Sequence, residues 1–159
     1  MTTRKRLMGL ALIFTTVHSV ATDLSSIDDL ETAERLVDCM AFSSISYRVQ
    51  EESLSEEERQ VQLDKFKSYM MGASYFVTKH ELGKAPTSRA QVPESVGTWA
   101  EAEMQDFGKE FLLLREKARD GTDEDKDALR RFLSSLVQDC NSLAPIAAQA
   151  RRDMEALED

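Results

Sequence analysis

"LRRFLSSLVQDCNSLAPIAAQARRDMEAL", Leu129 to Leu157, places Leu129, Leu133, Leu136, Cys140, Leu143, Ala147, Ala150, Met154 and Leu157 at alternating spacings of four and three. That spacing puts all nine side chains on one face of an α-helix. Pro145 is the only residue in the run that opposes it. It has no amide proton, so it is expected to kink the helix or to split off a short segment beginning near Ser142. A helix of this length with a single apolar seam can hide the seam only against other helices. A seam this regular is also compatible with a homodimer interface.

Working outward, the preceding "DGTDEDKD" (120–127) supplies a turn and a new helix start, with Thr122 or Asp123 as N-cap. A helix predicted over about 94–119 carries Met104, Phe107, Phe111, Leu114 and Ala118 on one face; Gly97 and Gly108 either weaken it or permit close packing. It is reached through "GKAPTSRAQVPESVGT" (83–98), the one concentration of turn formers in the chain. Before that, Ser55 and Glu58 form a capping-box pattern, and Leu63, Phe66, Met70, Ala73, Val77 and His80 mark the inward seam of a helix that Gly83 should stop. A first helix is predicted from about Ser26 to Gln50, capped by Ser25 or Ser26, with Leu30, Ala33, Val37, Met40, Ser44 and Tyr47 inward. The expected fold is all-α: a four-helix up-and-down bundle with a kinked or split C-terminal helix.

The N-terminus constrains where the protein works. "MTTRKRLMGLALIFTTVHSVATD" (1–23) has three consecutive basic residues, an apolar run from Leu7 to Val17, and small residues at Ser19 and Ala21, the layout of a secretory signal peptide. The apolar run is too short for a membrane span, which needs about 20 residues. Cleavage is expected after Ala21, leaving residues 22–159 as a single domain with no membrane anchor. The leader removes three of the 20 basic residues and none of the 29 acidic ones, so the mature chain carries a formal charge of −12. Such a surface repels nucleic acid and anionic lipid and favours a basic partner. Periplasmic or secreted placement follows, and there two cysteines, Cys39 and Cys140, read most simply as one disulfide joining the first and last helices. The uncharged stretch from Cys39 to Tyr47, rich in Ala and Ser, then reads as close helix packing.

Little in the sequence supports catalysis. The mature chain has one histidine, His80, which excludes multi-histidine zinc sites, and it lacks the nucleophile elbow, the phosphate loop and the dinucleotide fingerprint. Noncovalent haem on His80 with Met40 or Met104, or copper on Met70, Met71, Met104 and His80, is possible by residue count. Yet methionines at helical spacing are mostly core filler, and a terminal histidine usually caps. No cofactor and no metal are expected. The acidic pairs lie in helix first turns and connections, where the dipole and solvent account for them. The chain therefore reads as an exported, non-enzymatic binding protein that docks onto another protein, in the manner of an envelope adaptor or a toxin-immunity inhibitor. Trp99 and Arg89 in and after the turn-rich link, with Asp123 and Asp125 in the acidic turn, are its candidate contact residues. Two alternatives stand beside it: an acid- or stress-activated periplasmic chaperone, and a carrier of haem, metal or lipid in the bundle interior.

Overall fold

A computed structural model describes Leu24 and residues 27–158; the expected leader, 1–21, and the expected caps Ser25 and Ser26 lie outside them. Four helices account for almost all of the described chain: α1 (Asp29–Gln50), α2 (Glu56–Leu82), α3 (Ser95–Asp120) and α4 (Asp123–Glu155), with a single 3-10 turn, Arg89–Gln91, in the link before α3. They pack on one another as an all-α four-helix bundle with no strand among the described residues. None of the four is long and apolar enough to cross a membrane.

The helix ends follow their capping chemistry. Ser55 accepts the Glu58 amide proton while the Glu58 carboxylate accepts from the Ser55 amide, and Thr122 and Asp125 repeat the arrangement at the start of α4. Gly83 ends α2 with φ of 64°, a left-handed conformation open to glycine at no steric cost. The start of α1 differs from expectation. Asp28 is its N-cap, its carboxylate accepting from the Glu31 amide, because an Asp so placed satisfies an orphan donor and meets the helix dipole at once. Helix α4 runs unbroken through Pro145, so the last helix is not split. The orphaned carbonyl is that of Asn141, one turn back, on the exposed side of the helix.

α1 is the most enclosed element. Ala33, Leu36, Val37, Cys39, Met40 and Ala41 are all buried, whereas the rest of the uncharged stretch, 42–47, is partly buried. Cys39 and Cys140 form the expected disulfide, with Cα atoms 5.4 Å apart and 101 residues between them in sequence. Arg35 adds an ion pair to Asp139 at 3.0 Å on the neighbouring turn. A disulfide fits an oxidising, extracellular type of environment. The seam of α4 faces inward as expected: Leu136, Cys140, Leu143, Ala147, Ala150 and Met154 are buried within the chain.

α2 departs from its expected orientation. Its buried face is Tyr69, Gly72, Ala73, Tyr75, Phe76 and Val77, while Leu63 and Met70 stand half exposed and His80 is exposed. The cause is α4, which crosses α2 closely. Tyr69 donates to the Cys140 carbonyl at 3.2 Å, Arg151 reaches the Asp64 carbonyl and the Ser68 hydroxyl, and Lys67 pairs with Glu155 at 3.2 Å. Gly72 lies at the crossing: a Cβ there would sit 3.1 Å from the Leu36 Cδ1 and 3.3 Å from the Ala147 Cα. Gly97 and Gly108 have nothing within 4 Å of an added Cβ, so neither is a close-packing glycine. With α2 drawn onto α1 and α4, and α3 held by the same two helices, α2 and α3 barely meet.

Candidate functional site

The gap between α2 and α3 is the candidate site, a groove of about 410 Å³. Phe66, Met70 and Ala73 of α2 form one wall, and Val96, Ala100 and Met104 of α3 form the other. Met40, buried in α1, lies at its base, and Val92 and Pro93 of the α2–α3 link line the end nearest Val96. From Phe66 to Ser74 the wall runs eight residues, about 12 Å of helix. The sequence explains why it is apolar. Phe66, Met70 and Ala73 carry a helical seam written for burial, and the close approach of α2 to α4 turns part of that seam toward the gap.

Two polar side chains line the groove. The Ser74 hydroxyl already donates to the Met70 carbonyl at 3.0 Å, one turn back, which leaves it little to offer a ligand. Glu101 is exposed at the rim and makes no hydrogen bond or ion pair among the described residues. Among the described residues no cationic side chain lines the groove.

The four expected contact residues fall in two places. Trp99, half-buried on α3 beside Ala100, packs against the core cluster and does not line the groove. Arg89 is tied to the end of α4: its amide donates to the Glu158 carbonyl at 3.1 Å and its guanidinium to the Glu155 carbonyl at 3.4 Å, so it fastens the link down. Asp123 and Asp125 lie beyond the far end of α3, more than twenty residues and about 30 Å of helix from Trp99. Asp123 is fully exposed beside Lys126, whereas Asp125 is engaged in the capping box. Hydrogen bonds from the Thr122 hydroxyl and amide hold the Asp125 carboxyl below its usual range. None of the four lines the groove: Trp99 is next to the lining residue Ala100 in sequence and Arg89 is three residues before Val92, whereas Asp123 and Asp125 lie past the far end of α3. Residue typing alone selects Trp99 and misses Met70 and Phe66; the signal for those two lies in the tertiary crossing at Gly72.

Asp38, half-buried on α1, has its carboxyl pushed up to about 6 by burial first and then by Glu103, Glu110, Glu34 and Asp139. No three His, Cys, Asp or Glu side chains among the described residues are grouped to hold a metal ion. His80 is exposed in the last turn of α2, ten residues and about 15 Å of helix beyond Met70, and is no neighbour of the groove. Comparison with protein-family models, with curated proteins and with solved structures finds no match to this chain.

Proposed function

We propose that the protein is an exported, periplasmic or secreted, non-enzymatic helical binding protein that docks onto a partner protein through the α2–α3 face. The observation that carries this reading is the apolar groove of about 410 Å³, in which Met70 is 44% exposed although it belongs to a seam otherwise suited to a core. An exposed apolar patch bounded by polar residues is the usual mark of an interaction surface. Three methionines, Met40, Met70 and Met104, line it, and unbranched thioether chains adapt to a partner's contours better than branched ones do. The turn-rich link contributes Val92 and Pro93 to the same surface, in keeping with long connections carrying function.

The test is affinity recovery from the native envelope with the mature chain, run beside Gly97→Leu, which places an isobutyl group over the groove where nothing stands within 4 Å of the Cβ. One stoichiometric protein recovered by the wild type and lost with the variant supports the proposal. Equal recovery by both removes the groove from the function. A spread of unrelated polypeptides that grows as the pH falls transfers the reading to the chaperone alternative.

A further inference from the structure

We infer that the occupant of the α2–α3 groove is a basic amphipathic helix of the partner, laying two or three aliphatic side chains between Met70 and Met104 and a lysine or arginine against Glu101. This rests on the docking reading above and names the chemistry of the docked segment.

A wall of about 12 Å is slightly more than two helical turns, the distance over which an amphipathic helix presents apolar side chains at positions i, i+3 or i+4, and i+7. The groove is bounded by two helices, and a third helix laid over the seam between them is how bundles ordinarily extend. On the α3 side the wall is low at Gly97, where the space above the backbone is open, so an incoming helix can approach closely there.

Charge selects among amphipathic occupants. Among the described residues Glu101 stands at the rim with no cationic partner and no cation lines the groove, and the amide protons of its two walls lie largely within α-helices. A fatty acid or an anionic lipid would bring its head group to an unpaired carboxylate with nothing to receive it. The whole chain adds its formal charge of −9 to the same preference. A cationic flank on an apolar helix satisfies both features at once.

The experiment uses mature protein with isotope-labelled methionine methyl groups, so that Met40, Met70 and Met104 report on the groove and Met154, packed at the end of α4, reports elsewhere. The probe is a leucine–lysine amphipathic peptide of roughly 15 residues, about the shortest length at which an isolated helix is well populated. Its counterpart with glutamate for lysine, sodium decanoate and phosphatidylglycerol vesicles are run in parallel. The expected result is that the basic peptide shifts the three groove methyls and spares Met154. Glu101→Gln should weaken the peptide about threefold, an effect that vanishes near 1 M salt, and Gly97→Leu should weaken it by about tenfold or more. A melting midpoint no lower than that of the wild type in both variants shows that neither loss comes from unfolding.

Unmoved methyls with the basic peptide, or equal affinity for Gly97→Leu, would overturn the inference. Equal binding of the acidic peptide also overturns it but leaves the docking reading standing, provided the affinity recovery still yields a groove-dependent protein. Shifts with decanoate or vesicles alone overturn both.

Discussion

Exchanging glycine for alanine at three helical positions should give opposite signs, and the difference measures how closely α4 crosses α2. In a helix interior the exchange stabilises by about 0.5 to 1 kcal/mol, because alanine has less backbone freedom to lose. Gly97 and Gly108 have nothing within 4 Å of an added Cβ, so that gain should appear undiminished. Gly97 lies in the first turn of α3 and takes the low end of the range; the pair together should gain about 1.5 kcal/mol, since the two sites are far enough apart to add. With an unfolding entropy near 2.1 cal/mol/K per residue, residues 22–159 have about 0.29 kcal/mol/K, so the melting midpoint should rise by about 5 °C. At Gly72 the same methyl meets Leu36 Cδ1 at 3.1 Å and the Ala147 backbone at 3.3 Å. Overpacking costs about 1 to 3 kcal/mol, so Gly72→Ala should be neutral to about 2 kcal/mol destabilising, and Gly72→Val worse than either. Urea titration followed by circular dichroism reads all of these as shifts in midpoint at constant slope. If Gly72→Ala stabilised as much as Gly108→Ala, the close crossing of α4 over α2 would be wrong, and with it the origin of the groove.

Reducing the Cys39–Cys140 bond opens a loop of about 100 residues, for which chain entropy predicts a loss of about 4.7 kcal/mol. Melting with and without a phosphine reductant should differ by about 16 °C, and a difference under about 3 °C would show that the loop carries no such constraint. Lys79→Met removes the ammonium that bonds the Leu24 carbonyl and the Asp29 carboxylate in a mostly buried pair. It should cost about 2 to 4 kcal/mol in urea midpoint analysis, and the double variant with Asp29→Asn should recover part of that; no recovery would mean the pair is not coupled. Asp38 has its folded pKa raised, so its penalty is present above pH 6 and is relieved as pH falls toward the unfolded value near 4. Asp38→Asn should therefore stabilise at pH 7.5 by on the order of 1 kcal/mol, after discounting for its exposure to water, and by less at pH 4.5. A gain that grew on acidification would reverse the sign of this account. Glu58, Asp125 and Glu155 act oppositely: hydrogen bonds lower their folded pKa, so their stabilisation is present above about pH 4.5 and is lost below it.

The features legible in the sequence are those whose physics is local or fixed by a simple pairing. Ser55 with Glu58, Thr122 with Asp125, and Gly83 at the end of α2 all act within a few residues of themselves, and each stands where its chemistry demands. The disulfide was legible because the two cysteines fall on helices that can face each other and, in an oxidising environment, have only each other to pair with. The rotation of α2 was not. Between Leu63 and Val77 the helix carries apolar or aromatic groups over most of its circumference, so spacing admits both the Phe66–Met70–Ala73 face and the Tyr69–Gly72–Phe76 face. The choice is made by Gly72 meeting Ala147, a contact between residues 75 apart, for which the only sequence signal is the run of small residues at Ala144, Ala147, Ala148 and Ala150. Gly97 and Gly108 carry the same residue type without the same use, so a glycine's role in this chain is assigned by its neighbours across the bundle.

That crossing also decides the candidate site. α2 lies against α1 and α4, α3 lies against the same two helices, and the disulfide holds α1 to α4, so the distance between α2 and α3 is set by contacts that neither makes with the other. A groove formed this way is a property of the bundle's frame, and side chains within it bear on stability differently from side chains in the core. Truncating Leu36 or Phe76, both fully buried, lowers stability and disturbs every surface. A leucine at Gly97, which lines the groove with Met70, adds apolar volume there and replaces a helical glycine, so it should raise stability while blocking the proposed docking site. Opposite movement of stability and binding in one variant distinguishes a surface kept open for a partner from a bundle that is merely loosely packed, because loose packing improves on filling and has nothing to lose.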